Sequence, residues 1–176
     1  MSNFYVMEAV NLFCGDHDPT SSKHLTLETL KVPDLEETTA THTPGGGVLG
    51  VEIGMNVIEP LAPTFKLSGF DPQTLGLFGL GAPHRHVYTG YGVVRDKRSG
   101  KAIEAKTIME ARMISIKPDE FKRGDLYGHD HALKEVMRYE LWFDGGEKFA
   151  FDFWTNTKRI NSVDQNADTN RILRIG

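Results

Sequence analysis

The sequence contains a single cysteine, Cys14, so no disulfide can form within the chain and a reducing compartment is the expected setting. It also lacks a long apolar run. Its longest uncharged stretches, such as residues 74–83, fall far short of the ~18 apolar residues that a membrane span requires. The first residues show no basic segment followed by an apolar core, so neither a secretory signal nor a membrane anchor is expected. Positive charge is not in excess: 20 Lys and Arg stand against 24 Asp and Glu, a formal charge of -4 at pH 7. Without a basic surface, the chain lacks the electrostatic grip on phosphate that specific nucleic-acid binding needs. What remains is 176 residues, 39% hydrophobic and 25% charged, free of internal repeats. A chain of that size hides enough surface to fold as one domain, here residues 1–176, with its own core.

Strand periodicity dominates. Residues 131–143 alternate Leu133, Glu135, Met137, Tyr139, Leu141 and Phe143 against Lys134, Val136, Arg138, Glu140 and Trp142. After Asp144, Gly145 and Gly146 the alternation resumes through Phe149, Phe151 and Phe153, and Asp-Gly supplies the positive φ that a tight hairpin requires. A second hairpin is expected from residues 86–95 and 101–117, turning at residues 96–100 and stopped by Pro118. In its returning strand Lys106, Glu110 and Arg112 share a face with Ile108, Ile114 and Ile116, which suits a wet surface grading into a packed one. Shorter strands are expected at residues 6–13, 24–31 and 64–67. Residues 48–58, with Leu49, Val51, Ile53, Met55 and Val57 opposite Gly50, Glu52, Gly54 and Asn56, read as a half-buried strand. Helix is scarce: Asp71 and Pro72 form a start signal for residues 73–80, which Gly76 and Gly79 weaken, and a second helix is expected over residues 163–173. Residues 33–47 are polar and threonine-rich and end in Gly45, Gly46 and Gly47, the pattern of a long projecting arm.

Motifs that would carry chemistry are weak. His84 with His86, and His129 with His131, could offer four imidazoles to zinc, but both pairs sit at strand ends where solvated histidines are common. Cys14 and His17 lie close in sequence, yet catalytic partners are normally brought together by the fold, and a buried or edge cysteine is the simpler reading. The glycines at 76, 79 and 81 lack the strand and helix that frame a dinucleotide site. The paired acids Glu36 with Glu37 and Asp119 with Glu120 sit in polar loops, where carboxylates are simply solvated. The aromatic cluster of Trp142, Phe149, Phe151, Phe153 and Trp154 has no basic groove beside it, so core packing explains it better than base stacking. No catalytic, cofactor or metal residue is therefore assigned.

The order and spacing of several short segments resemble the major tail tube protein of contractile-tailed bacteriophages. They are Val10 to Phe13, Leu25 with Leu27, the run Gly45 to Gly47, the alternation Gly50, Glu52, Gly54 to Met55, the helix near Asp71 to Leu80, the hairpin around Arg95 to Ala105, Ile116 to Lys122, Tyr139 to Leu141, and Ile160 to Asp164. The same family includes the tubes of R-type tailocins, and its fold is similar to that of type VI secretion tube subunits. The resemblance implies a mainly β fold, an antiparallel β-barrel or sandwich with a short flanking α-helix and a long projecting β-hairpin arm, and a structural, non-enzymatic role. It implies homohexameric rings that stack into a hollow tube, penetrate the host envelope and conduct the genome. The implied partners are the chain itself, the tail sheath, tape-measure, baseplate and tail-terminator proteins, with DNA only in non-specific passage through the lumen. The implied location is the virion tail, assembled in the host cytoplasm. The self-assembly arm would span residues 34–50, with Asp34, Leu35, Glu36, Glu37, Thr38, Thr39, Thr41, Pro44, Gly45, Gly46 and Gly47 as its residues. Alternatives are the tube of a tailocin or other contractile injection system, or a β-rich metal-binding or ligand-binding protein.

Overall fold

The computed structural model describes residues 3–15, 17–81 and 83–175, so Asp16, within the Cys14 to His17 motif, lies outside the described residues. Nine of the strands form one antiparallel sheet and two more form a separate ribbon. Along the main sheet, β1 (Tyr5–Cys14), β6 (His86–Asp96), β7 (Ala102–Pro118), β8 (Gly128–Phe143), β9 (Gly146–Asp152), β10 (Thr157–Ile160) and β11 (Val163–Asp164) are neighbours in that order. The short pair β2 (Leu27–Lys31) and β5 (Thr64–Ser68) joins through β8.

β8 is where the sheet divides. Its first residues, Gly128 to Ala132, pair with β5, and residues from Arg138 onward pair with β9, while β7 runs along the other edge. Between the two halves Glu135 adopts φ 50°, and the β7–β8 register shifts there, as expected of a bulge that bends a strand. The bend folds β2 and β5 over β6 and β7, making a sandwich that does not close into a full barrel. At one end the gap is bridged by Phe13 against Ser22 and by the Lys23 N–H donating to the Leu12 carbonyl at 2.9 Å.

The core fills this fold. Leu12, Phe65, Leu67, Tyr88, Met109, Ala111, Met113, Leu133 and Tyr139 are buried together, each large side chain contributing about 1.5–3 kcal/mol by leaving water. Both expected hairpins form. Asp144 and Gly145 carry φ of 49° and 74°, the left-handed pair that a two-residue turn demands, and join β8 to β9. At the β6–β7 turn the Asp96 carboxylate accepts from the Arg98 N–H at 2.9 Å and the Ser99 hydroxyl at 2.7 Å.

Four expectations need correction. The helix expected over residues 73–80 is only α1 (Pro72–Leu75): Asp71 caps it, accepting from the Thr74 N–H at 3.1 Å, and Gly76 ends it. The C-terminal helix α2 is Ala167–Leu173, because Val163 and Asp164 pair with β10 instead. His129 and His131 are not solvated: they lie within β8, 5% and 2% exposed, since β5 and β7 flank that strand on both sides. Finally, the strand expected over residues 48–58 becomes β4 (Val51–Ile58), and it is exposed almost throughout rather than half-buried. Among the described residues it pairs only with β3 (Glu37–His42), and Val51, Ile53, Met55 and Val57 stay open to solvent.

Candidate assembly interface

The β3–β4 ribbon projects from the body. At its root the Glu59 N–H donates to the Glu36 carbonyl at 2.9 Å, and the Thr38 hydroxyl donates to Glu59 Oε1 at 2.6 Å. Asn56 adopts φ 59°, its N–H donates to Glu37 Oε1 at 2.6 Å, and its side chain accepts from the Lys158 ammonium of β10. Gly54 makes room for that carboxylate: a Cβ there would stand 2.6 Å from Glu37 Oε1. The root is thus hydrogen-bonded in place, and from it the ribbon runs outward through Ala40 opposite Ile53 and His42 opposite Val51.

The residues expected to form the arm fall on this ribbon or beside it. Asp34 pairs with Lys31 at 2.7 Å in the approach, and Leu35 is exposed. Glu36, Glu37 and Thr38 make the root, and Thr39 and Thr41 face Gly54 and Glu52 in β4. Pro44, Gly45, Gly46 and Gly47 form the turn at the outer tip, where the Gly47 N–H donates to the Pro44 carbonyl at 3.0 Å. The glycines are therefore at the tip, and the ribbon extends beyond residue 50 to Ile58.

The expected arm residues leave out its apolar side. Val51, Ile53, Met55 and Val57 are 46–56% exposed, and at the tip Val48 and Leu49 are 106% and 70% exposed. A two-stranded ribbon with one apolar face and nothing beneath it is marginal in water, so this face calls for a partner. The signal was in the sequence: apolar residues alternate with Gly50 and Gly54, which present almost no side chain on the other face.

The open face of the main sheet is different in kind. Along β7, β8, β9 and β10 the register places Glu104, Lys106, Glu110, Arg138, Glu140, Asp152 and Arg159 on the side away from the core. Arg159 grips Glu147 with two bonds of 2.9 Å, which holds the Glu147 carboxyl below its usual range. Glu140 accepts from Arg138 Nε at 2.7 Å and from the Trp142 indole at 2.9 Å. Lys106 lies 5.7 Å from the Tyr91 ring centre.

The candidate chemical groups, Cys14 with His17 and the two histidine pairs, are scattered between interior and surface. Burial pushes the Cys14 thiol up to about 12, so it is not a ready nucleophile, and His17 is exposed and packs against Phe13 and Tyr91. Lys23 and Asp71 form a 2.7 Å ion pair with side chains only 5% and 16% exposed. His131 stacks on Phe65 at 4.6 Å, and neither ring nitrogen has a hydrogen-bond partner. His84 is exposed and His86 half-buried. Among the described residues no three His, Cys, Asp or Glu side chains converge to hold a metal.

The sequence matches the profile of the phage tail tube protein FII family over residues 10–173. The chain belongs to that family. As a phage tail tube protein it is a structural subunit of a tail tube and not an enzyme. It has no significant match among curated proteins. Its fold is similar to that of a chain in the sheath-tube complex of the extracellular contractile injection system PVC in the extended state, at 11% identity and a TM-score of 0.54, covering 76% of this chain and 88% of that one. A chain of the PVC sheath/tube terminator gives a TM-score of 0.53 at 11% identity, covering 76% of this chain and 93% of that one. A chain of the anti-feeding prophage baseplate gives 0.51 at 11% identity, covering 81% and 97%.

Proposed function

We propose that this tail tube protein assembles into six-fold rings that stack into a hollow tube, built in the host cytoplasm inside a contractile sheath. The tube conducts the genome when the sheath drives it through the envelope. The observation that carries the reading is the arm, whose apolar face is offered to solvent on a root held rigid by Glu37, Thr38, Asn56 and Glu59. A second copy is the natural cover, because a ring of identical subunits repeats one contact until it closes. The arm residues Asp34 to Gly47, together with β4, are then the inter-subunit and inter-ring contact. Sheath, tape-measure, baseplate and tail-terminator proteins are the further partners, in keeping with solved neighbours drawn from a sheath-tube complex, a tube terminator and a baseplate.

The open face of the main sheet lines the channel in this reading. Glu104, Glu110, Glu140, Glu147 and Asp152 outnumber Lys106, Arg138 and Arg159, and two of those three cations are already held by carboxylates. With most of its positive charge already neutralised, such a wall holds phosphate weakly and lets DNA slide past. The test is electron microscopy of the purified protein across a concentration series. Rings with six-fold symmetry and stacked tubes are expected. A protein that stays monomeric at high concentration overturns the reading.

A further inference from the structure

A groove of about 550 Å³ lies where the arm root meets the body. Val57, Ile58 and Leu61 line it from the root, and Val136, Phe151 and Phe153 line it from β8 and the end of β9. Phe153 is 68% exposed, so the groove opens to the outside. The apolar stripe of β4 runs into it: Val51, Ile53 and Met55 lead inward to Val57 at its edge. At the opposite end of the same arm stand Val48 and Leu49, the most exposed adjacent pair of apolar residues on the ribbon.

These two features cannot meet within one chain. The eight residues of β4 extend at about 3.4 Å each, so the tip stands roughly 30 Å from the root, and the pairing with β3 keeps the ribbon from doubling back. A compact chain of 176 residues has a radius of gyration near 16 Å and is about 40 Å across, so an arm of that reach spans most of a neighbouring copy.

We propose that the arm tip of one copy, Val48 and Leu49, plugs the root groove of a neighbouring copy. The contact is head-to-tail: each subunit gives a tip and receives one, so the link propagates from copy to copy instead of ending at a dimer. Continuity argues for this occupant, since a docked tip prolongs the stripe that β4 already begins in the receiving subunit. The groove's charged rim is mixed, with Lys134 and Lys158 beside Glu59, Glu135 and Asp152, so neither sign dominates and apolar fit decides. The proposal rests on the assembly reading above and adds the site that receives the arm.

Leu49 and Phe153 are both exposed, so each can be replaced without disturbing the core. In a Leu49→Cys/Phe153→Cys variant, diamide oxidation of assembled protein is expected to give a covalent ladder of dimers, trimers and higher species. The same treatment of dilute monomer, or of either single variant, is expected to give none beyond dimer, since buried Cys14 does not react. In parallel, Leu49→Ser and Phe153→Ser should each raise the concentration needed for tube formation about 10-fold or more, with the melting temperature of the monomer unchanged. Tubes from the double-cysteine variant with no ladder, or tubes from both serine variants at the wild-type concentration, would overturn the proposal while leaving the assembly reading intact. In that case the groove takes another occupant, such as the sheath. Absence of rings and tubes from wild-type protein overturns both.

Discussion

The β8–β9 and β3–β4 hairpins are alike in sequence and opposite in fate. Each alternates apolar and polar residues and each is closed by a glycine-containing turn. In the first, Leu133 and Tyr139 are at most 1% exposed; in the second, Val51 to Val57 stand about half in water. Alternation says that one face needs cover, without saying whose atoms supply it. In β8 the cover comes from β2, β5, β6 and β7 of the same chain, and in β4 it has to come from outside.

Replacements in the two hairpins should separate those covers. Leu133→Ala opens a void in the packed sandwich and is expected to cost about 2–5 kcal/mol of subunit stability, seen as a large fall in denaturation midpoint. Ile53→Ala should leave the same midpoint within about 0.5 kcal/mol and weaken assembly instead. Equal losses from the two would erase the distinction. Lys23→Met sharpens it further inside the body: it strands the Asp71 carboxylate without its cation and is expected to cost about 3 kcal/mol in urea unfolding, because the pair is nearly dehydrated.

Acid should also strike the body and not the arm. Burial and the neighbouring His129 lower the His131 pKa from 6.5, with the nearby Phe65 backbone and Asp71 pulling the other way without prevailing. A depressed histidine pKa means the unfolded chain takes up the proton first, so stability is constant above about pH 6.5 and falls as pH drops towards the folded-state pKa. The slope is at most about 1.4 kcal/mol per pH unit for one group. Melting curves from pH 7.5 to 5 should show this fall, and His131→Leu should flatten it. The smallest effect is expected from Gly46→Val at the arm tip, where a Cβ meets nothing within 4 Å: no change in subunit melting and, at most, slightly slower tube growth by light scattering.

Much of the fold was legible because local chemistry decides it. Asp144 with Gly145 fixes one turn, Asp96 another, and Asp71 with Pro72 marks the start of α1. What could not be read depends on how many neighbours a strand acquires. His129 and His131 look like strand-end residues in one dimension, but β8 runs past that end between β5 and β7 and seals them in. The alternation of β4 looks half-buried for the converse reason: its length and pattern suit a sheet that never reaches it. The polar first half of the ribbon, Asp34 to Gly47, reads as a projecting segment from its composition, while the alternation of its apolar second half reads as a strand of the body. The bulge at Glu135, which splits the sheet, left no signal in the sequence, since a glutamate with positive φ is imposed by its surroundings.

The most direct trial is to excise the ribbon between Glu37 and Ile58, which already face each other across it, and to close the gap with Asn-Gly. Melting of the dilute subunit and electron microscopy of the concentrated protein are then compared with the full chain. Melting within about 3 °C of the full chain, together with loss of stacked tubes, is the expected result. Tubes of normal length from the excised protein, or a subunit that no longer folds, would contradict the view that the arm finds its cover on another copy.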